Sequence, residues 1–586
     1  MADEKNYSFI KNFESRDDLK EFGDNSLLLY LFDLIYSVEN IRIFASEYLV
    51  DKPDDKKTDL VFIDKDEKKA IIAQSYHSKK TKDIAPSNKA SSLSTSMNWL
   101  LSANIDDLPT SIKSAAIELR NALKNQEVDR IELWYVHNCL ESKNVKNELK
   151  TVAIATKKIL EASFPHVKCD VTYIEWGLNR IEDRYKSTTT AILVNETFKI
   201  NIPGGFEIKG DGWHSFSTTV NANWLHDLFV KYKTDLFSAN IRDYLGSRKS
   251  DKNINNGIKE TAKKEPEKFW VYNNGVTAIV NNFKIDKNNS YIEIDGIAIV
   301  NGAQTIGSLG SLEHVPDKTA KVPIRFIKAN SKELISNIIR YNNRQNKISA
   351  ADFRSIDNIQ RRLKKEFEIF EKITYKGARR GGAEDKIKRD PNDLPYEKVV
   401  QCLAAFHTYP GLAYNKKTKI SESDELYNKF FNENTHAEHI VFVYSLFSAI
   451  AKLKLELMKK EKEETITNSE KERLEFLKNR GAIWIFIAAL GESLNVIVDG
   501  RVPNQFIYRF RDKKGVVEDY EEIWKPIIDI GMSFRDSLKK PLEEVLSNEK
   551  NNQEAIKTFR SLMESVKTSN EKIYRAFSEK VNLENY

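Results

Sequence analysis

Hydrophobic patterning changes character once along this chain, near Leu394, and that change bounds the folds open to it. Before it, short β-branched runs alternate with amphipathic helical stretches; beyond it only helical patterns remain. A chain of 586 residues is also too long for one core. The expected organisation is multidomain, of mixed α/β and α+β class. An α/β domain covers residues 1–180, a central mixed α/β domain 181–395, and an α-helical region 396–586.

Within the first region, Ser26–Ser37, Ser91–Leu101, Pro109–Lys124 and Val145–Leu160 read as helices. Ile41–Tyr48, Asp59–Ile63, Ala70–Gln74, Arg130–Val136 and Cys169–Tyr173 read as strands. Composition excludes several classes. Hydrophobic residues at 40% and charged residues at 30% are those of a soluble globular protein. A net charge of +6 permits local basic patches without demanding a nucleic acid. The three cysteines show no paired spacing, which fits a reducing compartment. No apolar run approaches the roughly 18 residues of a membrane span, the best being Ala482–Leu490, and the N-terminus has no signal core. A cytoplasmic protein without membrane contact is expected.

Three polar clusters punctuate the middle of the chain. They are Asn273-Asn274-Gly275, Asn301-Gly302-Ala303-Gln304-Thr305, and Asn342-Asn343-Arg344-Gln345-Asn346. Ile297–Val300 is a β-branched run that stops at Asn301-Gly302, and the small residues after it can open a helix. A strand ending in a Gly turn at a helix start directs backbone N–H groups at one point, which suits a phosphate. Asn and Gln donate and accept without charge, which favours polar recognition over acid–base chemistry. Each cluster alone is also an ordinary turn signal. Ser331–Tyr341 reads as an amphipathic helix with Leu334, Ile335, Ile338 and Ile339 on one side.

These segments, with Asn240–Thr261 upstream and Gln401–Tyr414 downstream, resemble the AIPR family, named for abortive infection and phage resistance in bacteria. The resemblance implies a role in antiphage defence with a phage-derived trigger. The order strand, Gly turn, helix, strand, helix, Asn-rich loop is also similar to ParB-like and DGQHR-type domains. That likeness implies that Asn301, Gly302, Gln304 and Thr305 face a nucleotide phosphate or nucleic-acid backbone, with Arg344 supplying charge. The Arg of DGQHR has no counterpart in NGAQT, so a nucleotide hydrolase centred there stands only as an alternative.

In the first region, Asp59 begins one strand and Gln74 ends the next, as neighbouring strands of a hairpin would place them. An acid from the preceding element, Glu47 or Glu39, lies upstream. This resembles the Mrr-like branch of the PD-(D/E)xK nucleases. The resemblance implies a Mg²⁺ site with Asp59, Gln74 and Glu47 as ligands. Tyr76 stands where that motif has Lys, so Lys79 is the implied substitute. One competing reading makes Asp59 and Gln74 ordinary strand-end polar residues; another makes the domain a nuclease-shaped module with weakened or lost catalysis that binds nucleic acid or a partner.

The densest basic tract runs from Arg361 to Arg389, interrupted by Tyr375 and Gly381-Gly382. Lys376, Arg379 and Arg380 there suit a phosphate backbone, either DNA or RNA. His436 and His439 read as structural, since nothing completes a metal site around them. The favoured reading is a Mg²⁺-dependent nuclease coupled to a domain that senses nucleotide or nucleic acid. Whether the chain self-associates as a homo-oligomer stays open.

Overall fold

The computed structural model describes residues 7–36, 38, 40–50, 55–78, 84–189, 192, 194–232, 236–237, 252–288, 290–312, 314–343, 357–375, 392–500, 502, 504–513 and 515–583. Helix α1 (Ser26–Tyr36) is apolar on all sides because both faces are covered, and Ser26 through Phe32 are buried. Ile41–Tyr48 is a helix, α2, where a strand was expected. Asn40 decides it, since its Oδ1 accepts from the backbone N–H groups of Arg42 and Ile43, both at 3.1 Å.

The next strands are β1 (Leu60–Asp64), β2 (Lys69–Tyr76), β3 (Arg130–His137) and β4 (Asp170–Trp176). They form a four-stranded sheet in sequence order. β1 and β2 are antiparallel; β2–β3 and β3–β4 are parallel steps. Helices α3 (Leu93–Leu101), α4 (Thr110–Lys124) and α5 (Lys143–Ser163) make those crossovers. They pack on the face carrying Val61, Ile72, Leu133 and Tyr135. α1 covers the other face, against Leu60, Ile71, Ala73 and Trp134.

The second sheet holds β5 (Val194–Asn201), β6 (Gly205–Gly210), β7 (Trp213–Asn221), β8 (Val276–Ile279), β9 (Asn282–Ile285), β10 (Tyr291–Asn301) and β11 (Lys321–Ala329). Its order is β5-β10-β8-β11-β7-β6, with β9 paired to β10. Only β8 and β11 run parallel in it. α6 (Ala222–Tyr232), α7 (Lys252–Lys264) and α9 (Ala303–Gly310) lie on one face. The short α8 (Phe269–Tyr272) leads into β8. On the opposite face α10 (Lys332–Asn343) sets Ile335, Ile338 and Ile339 against Ile279, Ala298 and Val300.

From α11 (Tyr396–Phe406) onward the chain is helical except for short bridging strands. α12 (Ala437–Lys462) and α13 (Asn468–Lys478) lead to α14 (Ala482–Ile497), whose residues are nearly all buried. α11 passes so close that a Cβ on Gly491 would sit 2.6 Å from the Phe406 carbonyl oxygen. Among the described residues no single helix is long and apolar enough to cross a membrane.

The helical region is bolted to the first sheet by Arg480, just before α14. Its Nη1 donates to Glu118 on α4 at 2.6 Å, and its Nη2 donates to the Val61 carbonyl at 2.6 Å. The Tyr414 hydroxyl also donates to Glu118, at 3.1 Å. Both members of the ion pair are buried. Removing one partner of such a pair strands the other charge in a dry site. Glu118→Ala is therefore expected to lower unfolding stability by roughly 3–5 kcal/mol, read from the denaturant midpoint.

His407 and His439 form a second buried contact, Nε2 to Nε2 at 3.2 Å. His439 Nδ1 donates to the Tyr508 carbonyl at 3.0 Å, so its Nε2 accepts from His407. Burial pushes His439 down from 6.5 to about 4. Burial, then the neighbouring His439, holds His407 well below its ordinary value. Their unfolded forms protonate first as the pH falls. The stability from their neutrality is thus complete above about pH 6.5 and is lost progressively below it, toward about pH 4. Equilibrium unfolding between pH 7 and 5 should show that loss, at up to about 1.4 kcal/mol per pH unit for each imidazole. His439→Gln should flatten the slope.

Candidate functional site

The three central clusters come together at one end of the second sheet. Gly275 opens β8 at φ +82° and Gly302 opens α9 at φ +93°, both in the left-handed region. A Cβ on Gly302 would lie 2.8 Å from the Gly275 carbonyl oxygen and 2.9 Å from a methyl of Val276. One on Gly275 would lie 2.7 Å from the Pro323 carbonyl. Glycine at both positions is thus what lets the NNG and NGAQT segments touch. Asn273 Oδ1 ties them, accepting from Gly275 N at 2.9 Å and from Thr305 Oγ1 at 3.3 Å.

The third cluster reaches the same point through Asn342, in the last turn of α10 rather than in a loop after it. Asn301 Nδ2 donates to the Asn342 carbonyl at 2.9 Å. Arg325 Nη2, from β11, donates to Asn342 Oδ1 at 2.6 Å and to Thr277 Oγ1 at 3.3 Å. Asn274 and Arg325 are exposed, and Asn301, Gly302, Gln304 and Asn342 are half-buried. Gly302 supplies no side chain to cap α9, so the first-turn amides face the cluster without a capping oxygen from that position. A helix start, four neutral amide side chains and one guanidinium suit an oxyanion or a polar base edge.

Arg325 was not anticipated from the sequence. Its signal was there: in Val322–Ile327 the alternation leaves Arg325 on the face opposite Val322, Ile324 and Phe326. Asn343 closes α10. Arg344, Lys376, Arg379, Arg380 and Lys79 lie outside the described residues, as does Glu39.

At the first sheet, Asp59 stands one residue before β1, and Gln74 lies near the end of β2. Strand alternation puts Asp59, Gln74, Tyr76, Tyr135, His137 and Glu175 on the face toward α3 and α4. Ser75 N donates to Asp59 Oδ2 at 2.6 Å, which fastens that carboxylate across the hairpin. Burial, helped by Cys139, Tyr76, Glu175 and Asp59, pushes the Tyr135 hydroxyl up. Cys139 N donates to His137 Nδ1 at 3.3 Å, so Nε2 carries the proton toward Glu175 Oε1, also at 3.3 Å.

As they stand, these groups are engaged with protein partners, and a Mg²⁺ ion would have to displace those contacts. Gln74 is 3% exposed, and its oxygen already accepts from Ser92 Oγ at 2.6 Å. Glu47 does not complete the set. It lines a cleft with Tyr414, Lys454, Arg480 and Trp484, where its charge acts on Lys454. Tyr76 holds the place of the motif's cation and packs against the apolar side chains of this face. Among the described residues no three His, Cys, Asp or Glu side chains converge as a metal would need.

The family model described as AIPR protein matches residues 237–575, more than half of the chain. The chain belongs to the AIPR family. Membership supports a role in abortive-infection phage resistance. The AIPR match takes in all three clusters, Arg325 and most of the helical region, and leaves the first sheet outside it. No curated protein and no solved structure matches the chain. The central cluster is therefore the candidate site that lies within the AIPR-matched segment.

Proposed function

We propose that this AIPR protein serves phage defence by recognising a phosphate-bearing ligand, a nucleotide or nucleic acid, at the central cluster. One observation carries the reading. Segments about thirty and about forty residues apart in sequence meet through Asn273, Asn301 and Asn342 around a helix start with no side-chain cap, with Arg325 as the charged member. Five hydrogen bonds and two glycines hold these groups before any ligand arrives, which lowers the ordering cost of binding. The guanidinium meets a phosphate oxygen while the amides read neutral polar edges.

Calorimetric titration of ATP into the full chain tests this. Arg325→Ala removes a charge-assisted contact and Gly302→Val drives a side chain into the Gly275 carbonyl. Each is expected to weaken binding by about tenfold or more. Unchanged affinity in both variants sinks the proposal.

A second reading rests on the first sheet. Asp59 and Gln74 share one face at one end of the β1–β2 hairpin, the layout of a PD-(D/E)xK core, and two parallel crossovers follow. In this reading the first region is nuclease-like. Plasmid DNA and total RNA are incubated with the protein, with Mg²⁺ or EDTA, beside Asp59→Ala. Cleavage that needs both Mg²⁺ and Asp59 establishes a nuclease. Cleavage that survives Asp59→Ala removes the hairpin site from the chemistry.

A further inference from the structure

The register of the second sheet places a continuous row of side chains across five strands. Phe206 on β6 stands opposite Ser217 on β7, and Ser217 opposite Arg325 on β11. Arg325 stands opposite Thr277 on β8, and Thr277 opposite Asn301 on β10. Cross-strand partners point to the same face, so the row links an edge-strand aromatic ring to the NGAQT segment. Four inter-strand steps span about 19 Å.

The outer part of this row is open. Phe206 is 60% exposed, and Ile208, next along the same face of β6, is 51% exposed. The second aromatic group comes from α8. Trp270 is 48% exposed and donates its ring N–H to Thr219 Oγ1 at 3.1 Å, which lays the indole over β7 beside Pro323. Tyr272, 63% exposed, stands next to Asn273. The charge on this face is one-sided. Among the described residues of β6, β7 and β11 it carries Arg325 and Lys321 and no Asp or Glu.

Exposed aromatic side chains of this size are costly to leave in water without a partner. Their neighbours narrow the partner's chemistry. Hydroxyls of Ser217 and Thr219, the guanidinium of Arg325 and the amides of Asn301 and Asn342 lie on the same side of the sheet as the Phe206 and Trp270 rings. Flat rings beside cations and neutral hydrogen-bonding groups bind stacked, unpaired bases and the phosphates between them. A duplex hides its base faces and gives such rings nothing to stack on.

We infer that the face bearing Phe206, Trp270 and Arg325 is a binding platform for single-stranded nucleic acid, whose phosphate reaches the central cluster. The inference rests on the phosphate-ligand reading above and names the ligand class of that site. Phe206 and Trp270 are base-stacking residues; Arg325 bridges the platform to the cluster.

The test uses fluorescence anisotropy of 5′-labelled twelve-nucleotide DNA and RNA, single-stranded and annealed, with the full-length protein. Single strands are expected to bind more tightly than duplexes. Phe206→Ala and Trp270→Ala should each weaken single-strand binding by about tenfold, and Phe206→Trp should retain it. ATP affinity should be unchanged in all three, since neither ring belongs to the cluster. Both rings are surface groups, and coincident unfolding curves of the variants confirm that the fold is intact. Equal single-strand affinity in wild type and both alanine variants overturns the platform, as does preference for the duplex or binding of ATP without any oligonucleotide. In each of those cases ATP binding lost on Gly302→Val keeps the cluster reading standing. Failure of the wild type to bind ATP, with single strands still bound through Phe206 and Trp270 and that binding unchanged in Arg325→Ala and Gly302→Val, would instead overturn the cluster reading and reduce the platform to the two rings.

Discussion

The central site depends on two backbones meeting at Gly275 and Gly302 with no room for a Cβ on either. A left-handed conformation at each turns the chain sharply, one into β8 and the other into α9. Because the glycines touch, Asn273 reaches Thr305, and the helix start faces the side chains of the neighbouring strands. Everything placed around that point, from Asn301 to Arg325, inherits its position from this contact. The site is therefore built from sheet ends and a helix start, which hold geometry better than a free loop.

The rest of the molecule divides the labour differently. The first sheet carries a row of buried and half-buried polar groups whose partners are already in place: Asp59 with Ser75, Gln74 with Ser92, His137 with Glu175. Groups so fully engaged give rigidity and are poor metal ligands without rearrangement. The helical region contributes the largest core, organised around the apolar α14. The second sheet leaves the outer part of one face, beyond α10, exposed beside groups that accept polar and anionic ligands. Binding chemistry concentrates there.

Much of this was legible in the sequence, and the misses have physical causes. The three Asn-rich clusters announced themselves because Asn and Gly at strand ends are both turn formers and ligand groups; their meeting depends on the pairing of β10, β8 and β11, which no local pattern carries. The helical character beyond Leu394 followed from periodicity alone. Ile41–Tyr48 read as a strand because its β-branched and aromatic residues outweighed the Asn40 cap, a single residue with a large effect. Arg325 was hidden in an apolar strand, where only the sheet's two-residue alternation shows that it faces outward. Glu47 was assigned to the hairpin by proximity in sequence. Its actual neighbours, Lys454 and Arg480, lie more than four hundred residues away, beyond the reach of any local pattern.

The bolt made by Arg480 bears on where this protein can be cut. Its carboxylate partner, Glu118, and its carbonyl partner, Val61, both precede residue 237, where the AIPR match begins. Family and folding unit thus have different borders. A fragment trimmed to the family's border would keep a guanidinium designed for a dry socket and lose the socket. The N-terminal sheet and the AIPR-matched region share an interior at this point. Each side now supplies half of a charge balance that the other requires.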